Sequence, residues 1–139
     1  MPEALVDANI LVRHLTGQPT APARRSVEIM HAAEQSRLSL VVTPLTLAEC
    51  IWVLETVYQK PRDAIADALL ALVEAPGIAA RERGVVITAL SLYRATPRLD
   101  FADAYLAGVA TRTGPPRIVS LDRSLARIPG LVVIPGAGA

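Results

Sequence analysis

The sequence predicts a three-layer α/β/α domain built on a central parallel β-sheet. Short apolar segments with the length of strands alternate with longer segments that have helical periodicity. Strands that alternate with helices in this way are joined by crossovers and therefore run parallel. The strand segments are apolar on both sides, as burial between two layers of helices requires. At 139 residues the chain can form one such domain, which we expect over residues 1–135, with a flexible tail at 136–139.

The first part of the chain contains two predicted strands and four predicted helices. Thr16-Gly17 ends the first helix, and Pro22 begins the second. Thr43-Pro44 is a typical helix start, because Thr can cap the helix and Pro is favoured at its first position. Pro76-Gly77 ends the fourth helix. The predicted strands are 4–6 and 38–42, and the predicted helices are 8–15, 22–36, 44–59 and 61–74.

The rest of the chain continues the alternation with shorter strands. Gly84 weakens the first of its two predicted helices, and Gly114-Pro115-Pro116 ends the second. The helices are predicted at 81–95 and 100–113, a helical turn at 122–126, and the strands at 78–79, 118–120 and 131–134.

Composition excludes several classes of protein. With 52% hydrophobic and 19% charged residues, the chain is globular rather than disordered. Its one cysteine, Cys50, cannot form an intrachain disulfide, and its apolar neighbours favour a small buried side chain over a catalytic thiol. No apolar run approaches the ~20 residues of a membrane span, and no signal peptide is visible, so we expect a cytoplasmic protein. The net charge is only +1, and we attribute the excess of arginine over lysine to genome base composition.

Four acidic residues follow the first strands or lie on the helices that start there. Asp7 ends the first strand, Glu49 lies on the helix after the second, Asp103 lies near the start of a later helix, and Asp122 follows the strand 118–120. Each has a structural explanation, as a helix cap, part of a capping box or an acid favoured by the helix dipole. Parallel strands, however, deliver their carboxyl ends to one edge of a sheet.

Carboxylates gathered at one edge would favour a divalent cation. Without one, they would repel each other and raise one another's pKa values. Oxygen ligands without His or Cys select Mg²⁺ or Mn²⁺ rather than zinc. Such a site can lower the pKa of bound water and support in-line attack on a phosphoryl group.

Four segments carry a resemblance to a known family. They are 5–13 (LVDANILVR), 43–50 (TPLTLAEC), 99–107 (LDFADAYLA) and 119–122 (VSLD). Together they resemble the motifs of PIN-domain ribonucleases of the VapC type, the toxins of type II toxin–antitoxin modules. No single segment is specific, but the four in this order and spacing are. The region 60–98 has no recognisable signature, so the RNA target is not predicted.

The resemblance implies a PIN-like fold and a metal-dependent endoribonuclease that forms a homodimer and is inhibited by a cognate antitoxin protein. It assigns Asp7, Asp103 and Asp122 to Mg²⁺, with Mn²⁺ as a substitute. Glu49 would orient or deprotonate the attacking water. With these four residues the catalytic set is complete, and Asp100 matches a frequent companion of the third acid.

Other polar residues near the four acids are weaker candidates. Asn9 and Ser120 are expected to form hydrogen bonds around the site. Three arginines close in sequence to the acids are candidates for contacts with substrate phosphates, although a solvated surface role explains them equally well: Arg13, Arg123 and Arg127.

Three other functions were weighed. A phosphatase with Asp7 as nucleophile usually needs a second Asp two residues later, where this chain has Asn9. A receiver domain needs paired acids near the first strand and a well-placed lysine, and the only lysine is Lys60. A catalytically silent PIN-like module that binds RNA or protein remains the alternative, because intact acids do not prove turnover.

Overall fold

The computed structural model describes residues 2–17 and 21–135, with only the backbone for 21–23. The predicted tail at 136–139 lies outside the described residues. In chain order the elements are β1 (Glu3–Leu5), α1 (Ala8–Thr16), α2 (Ala21–Glu34), β2 (Ser39–Val42), α3 (Pro44–Thr56), α4 (Arg62–Glu74), β3 (Ile78–Ala80), α5 (Arg83–Ala95), α6 (Phe101–Arg112), β4 (Arg117–Val119), a 3₁₀ helix (Leu125–Arg127) and β5 (Val132–Ile134).

The chain forms two compact units, the first ending at Glu82 and the second beginning at Arg83. In the first unit β1, β2 and β3 form a parallel sheet in that order, with Leu5 opposite Val41. In the second unit β4 and β5 pair in parallel. Every strand pair among the described residues is parallel, so the predicted sheet type is confirmed. A single domain over 1–135 stays a prediction.

Helices connect the strands of the first unit and bury its core. Helix α1 packs against α2 and α3, and α4 packs against α3 and β3. Helix α3 begins where the sequence predicts, because the Thr46 N–H donates to Thr43 Oγ1 at 3.2 Å and Pro44 occupies the first turn. The fully buried side chains of this unit are mainly aliphatic and include Leu11, Val42, Leu47, Ile65, Leu69 and Val73.

The second unit is organised by close packing of α5 against α6. A Cβ added at Gly108 would lie 2.9 Å from the carbonyl oxygen of Val85, so the two helix backbones approach too closely for a larger residue. Tyr93 on α5 and Phe101 on α6 pack edge to face, with ring centroids 6.4 Å apart. This packing fixes the helix that carries Asp103.

Three predicted helix boundaries are wrong for one physical reason. Helices α2 and α3 end before the predicted residues 36 and 59, and α5 begins after the predicted residue 81. Ser36, Gln59 and Glu82 have φ values of 59°, 51° and 52°, in the left-handed region that interrupts a helix. None of the three is glycine, so the sequence contains no sign of these interruptions.

Burial of the strands differs from the expectation that all are covered on both faces. In β2, Leu40, Val41 and Val42 are buried. In contrast, the three residues of β1 are exposed, and Val119 of β4 is 81% exposed. Within its sheet β1 is an edge strand that pairs only with β2, which accounts for part of its exposure.

Candidate active site

Asp7 lies at the turn between β1 and α1 with its carboxylate exposed. It occupies the N-cap position of α1, with the extended backbone typical of that position. Its side chain, however, forms no capping hydrogen bond. Asp7 therefore occupies the cap position, but its side chain does not cap the helix. The carboxylate is available for another role.

Glu49 lies on the exposed face of α3. Thr46, the first residue of the suspected capping box, lies inside the helix because Thr43 is the cap, so the capping-box explanation is wrong. The apolar neighbours of Glu49 in sequence divide between two faces. Cys50 is buried, whereas Trp52 is 62% exposed.

The buried Cys50 thiol lies within electrostatic range of both Asp7 and Glu49. Burial, together with the negative charges of Glu49 and Asp7, raises the pKa of Cys50 to about 12. The thiol also lies 3.9 Å from the carbonyl oxygen of Ala8, the residue after Asp7. Cys50 is therefore protonated at neutral pH and is no nucleophile.

Asp103 and Asp122 form a second acid pair, in the second unit. The pKa of Asp103 is raised to about 6, first by burial, then by a hydrogen bond with the Asp122 carboxyl and by the charge of Asp100. A hydrogen bond between two carboxyl groups requires that they share a proton. The pair therefore holds less negative charge at pH 6 than two separate carboxylates would.

Asp122 is held in place by its own loop. Ser120 Oγ accepts from the Asp122 N–H at 2.9 Å, and Asp122 Oδ1 accepts from the Ser124 N–H at 2.8 Å. The bond from Ser124 and the bond with Asp103 lower the pKa of Asp122. Asp122 therefore closes a local turn rather than capping the 3₁₀ helix, whose N-cap is Ser124.

Asp103 is positioned by the start of α6. Asp100 caps this helix, since its Oδ1 accepts from the Asp103 N–H at 2.9 Å. The small residues of α6 belong to the core of the second unit. Ala104, Ala107 and Gly108 are buried, and Gly108 packs against α5.

The structure thus brings Asp103 and Asp122 together in the second unit, and in the first unit it places Asp7 and Glu49 within electrostatic range of the Cys50 thiol. Within residues 2–17 and 21–135 no group of three His, Cys, Asp or Glu side chains is placed to hold a metal ion. The chemistry of the second pair does fit one. Its ligands are carboxylate oxygens, and a cation can take the place of the shared proton.

Two contributions to the second pair were not predicted from the sequence. The resemblance identified Asp100 as a companion of the third acid, but did not predict that its charge raises the pKa of Asp103. The sequence does not indicate the hydrogen bond from Ser124 to Asp122. Its donor is a backbone N–H, which every residue except proline has. Ser120 does form a hydrogen bond with an acid of the set, while Asn9 is exposed.

These features define a parallel α/β domain with acidic residues beyond its strands, the class that contains many metal-dependent nucleases. The chain belongs to the PIN domain family, whose profile matches residues 4–131. It has the three-layer α/β/α fold of that family, a nuclease-type fold that typically uses divalent metal ions. Searches of curated proteins and of solved structures gave no significant match. No helix in the described part of the chain is long and apolar enough to cross a membrane.

Proposed function

We propose that the protein is a Mg²⁺-dependent endoribonuclease. The observation that carries the proposal is the Asp103–Asp122 pair, two carboxyl groups close enough to share a proton in a PIN domain. Two adjacent carboxylates are costly at neutral pH unless a proton or a cation lies between them. Oxygen ligands of this kind suit Mg²⁺, with Mn²⁺ as a substitute.

Each acid has a role in this proposal. Asp103 and Asp122 are the proposed metal ligands of the second unit. The resemblance to VapC-type proteins adds Asp7 as a ligand, and its carboxylate forms no capping bond. Glu49 orients the attacking water and accepts its proton. When bound, Mg²⁺ supplies a Lewis acid that lowers the pKa of water and neutralises charge on the phosphoryl group. Ser120 contributes by fixing the backbone of Asp122.

The test is cleavage of a single-stranded RNA by purified protein in Mg²⁺, in Mn²⁺ and in EDTA. Wild type is expected to cleave with either metal, and Asp7→Asn and Glu49→Gln to lose at least 100-fold in rate, as expected for acids that act in the chemical step. Asp63→Asn is the matched control, since Asp63 is an exposed acid at the start of α4 that only accepts a local hydrogen bond from Ala64. Equal cleavage by wild type and Asp7→Asn would refute the proposal.

The biological role that we propose is that of the toxin in a type II toxin–antitoxin pair, in the cytoplasm. Support comes from the four VapC-like segments, which span residues 5–122. The proposed partners are RNA as substrate, a second copy in a homodimer, and a cognate antitoxin. Induced expression is expected to arrest growth of a bacterial host, and Asp7→Asn to abolish the arrest. A neighbouring gene for a small DNA-binding protein would support the pairing.

A silent PIN-like module that binds RNA or protein is the second candidate. The observation that favours it is that no three acids among the described residues are placed to hold a metal. This candidate predicts RNA binding that is equal for wild type and Asp7→Asn, without cleavage in either metal. Cleavage that depends on Asp7 would exclude it.

A further inference from the structure

A cavity of about 480 Å³ lies in the second unit, between the carboxyl end of α5 and the 3₁₀ helix. Its volume falls in the range of about 300–1,000 Å³ that is typical of small-molecule sites. The residues that line it are Leu92, Ala95, Thr96, Pro97, Arg98, Ser124, Arg127, Ile128 and Pro129. The acidic residues of the proposed site do not belong to this lining, so the cavity needs its own explanation.

The lining combines an apolar wall with two positive charges. Leu92, Pro97 and Ile128 supply apolar surface against which a base can pack. Arg98 and Arg127 are both exposed, and their guanidinium groups match the geometry of a phosphate. Among the described residues that line the cavity, none is acidic. Its charge is therefore complementary to an anion with an apolar part.

Residues on two sides of the cavity are close in the chain to residues that contact the Asp103–Asp122 pair. Ser124 lines the cavity, and its N–H donates to Asp122 Oδ1 at 2.8 Å. On the other wall, Arg98 precedes Asp100, the cap of α6, by two residues. An occupant next to Ser124 would therefore lie near Asp122, and a polymer bound in the cavity could extend to the acid pair.

The wall that carries Arg98 is held in a fixed conformation. The Leu99 N–H donates to the Thr96 carbonyl oxygen at 3.2 Å, which closes a turn over residues 96–99. Leu99 is fully buried and anchors the turn. Arg98 has φ 69°, a left-handed conformation that a residue other than glycine rarely adopts. The turn thus presents Arg98 from a defined position rather than from a free loop.

We infer that this cavity binds one nucleotide of a single-stranded RNA, next to the phosphodiester bond that is cleaved. Its base would pack on the apolar wall, and its phosphate would bind Arg98 and Arg127. This inference rests on the proposed function and adds to it a substrate-positioning site. Arg127, which the sequence could equally assign to the solvated surface, then has a specific role.

The first test is binding of a short fluorescein-labelled single-stranded RNA in EDTA, measured by fluorescence anisotropy. The double variant Arg98→Ala/Arg127→Ala is expected to bind about tenfold more weakly, and the salt dependence of its log Kd to be less steep by about 0.7 for each lost phosphate contact. Arg117→Ala is the matched control, because Arg117 is an exposed arginine of the same unit that begins β4 and does not line the cavity. Its affinity should change less than twofold.

The second test uses wild-type protein, so that it does not depend on the folding of a variant. In methyl NMR, 5′-AMP added in EDTA is expected to shift the methyl signals of Ile128 and Leu92. If wild type binds RNA but 5′-AMP leaves the methyl signal of Ile128 unshifted, the inference is overturned.

A third test uses the double variant Arg98→Lys/Arg127→Lys, which keeps the charge. Its RNA affinity should lie between those of wild type and the alanine variant.

The outcomes separate this inference from the proposed nuclease. If wild type cleaves RNA and the double alanine variant binds and cleaves RNA as well as wild type, the cavity site is refuted and the nuclease stands. If RNA binding depends on both arginines but wild type cleaves nothing, the cavity site stands and the nuclease fails. If a hexaglutamate peptide shifts Ile128 while 5′-AMP does not, the cavity takes an acidic peptide, and the inference is refuted.

Discussion

Replacing Asp103 by Asn removes a carboxyl group whose pKa is raised from 3.8 to about 6. Between these values the folded protein binds a proton that the unfolded chain has lost, so the group stabilises the folded state. This contribution is fully present below about pH 4 and is lost as the pH rises through about 6. The pKa of Asp122 is lowered, so the contribution of that group is lost only below pH 4, outside this window.

The size of the effect follows from the pKa. A rise from 3.8 to about 6 corresponds to at most about 3 kcal/mol, at about 1.4 kcal/mol per pH unit. Because the Asp103 carboxyl keeps contact with water, solvent screening leaves about 1 kcal/mol. We expect the metal-free wild type to lose this amount of unfolding free energy between pH 4 and pH 7.5, beyond what Asp103→Asn loses.

The assay is urea unfolding in EDTA at these two pH values, for wild type, Asp103→Asn and the control Asp63→Asn. Subtracting the pH dependence of Asp103→Asn from that of wild type gives the contribution of Asp103 together with its interaction with Asp122. Asp63→Asn should retain the pH dependence of wild type. The reasoning is refuted if wild type and Asp103→Asn change by the same amount between pH 4 and 7.5.

Three further predictions concern packing, capping and the thiol. Gly108→Val should destabilise the protein by about 1–3 kcal/mol, because its side chain would overlap the Val85 carbonyl, and urea unfolding against Gly108→Ala checks whether the cost grows with size. Thr43→Ala should lower the free energy of unfolding by about 1 kcal/mol, because it removes the cap of α3. The control Thr56→Ala removes only a bond to the Trp52 carbonyl in the same helix and should lower it less. Equal losses in the two variants would argue against the cap. Cys50 should not react with Ellman's reagent at pH 8 until the protein is denatured, and rapid reaction of the native protein would contradict its burial and its pKa of about 12.

Sequence periodicity predicted most elements of the fold, because most of them obey local rules. Thr43-Pro44 predicted the start of α3 correctly, since capping and the first helical position depend on a few adjacent residues. Ser36, Gln59 and Glu82 illustrate the limit. Their left-handed backbone lies at the helix boundaries in residues other than glycine, so no residue type in the sequence marks where these helices end or begin.

The candidate site was predictable as a set of residues but not as an arrangement. The position of each acid relative to a strand or helix could be read from the sequence, and the resemblance supplied the assignment. The hydrogen bond between Asp103 and Asp122 could not, because it joins residues from α6 and from the loop after β4. Nor could the sequence predict that Asp7 lies at a cap position without capping, since that depends on the side-chain rotamer.

Cleavage of single-stranded RNA by wild type and by Asp103→Asn, at pH 8 and saturating Mg²⁺, tests the central claim most directly. At this pH the Asp103 carboxyl is ionised in wild type, since its pKa is about 6. We predict Mg²⁺-dependent cleavage by wild type and by Asp63→Asn, and a loss of at least 100-fold in Asp103→Asn at unchanged fold. Cleavage by Asp103→Asn at the wild-type rate would contradict the account.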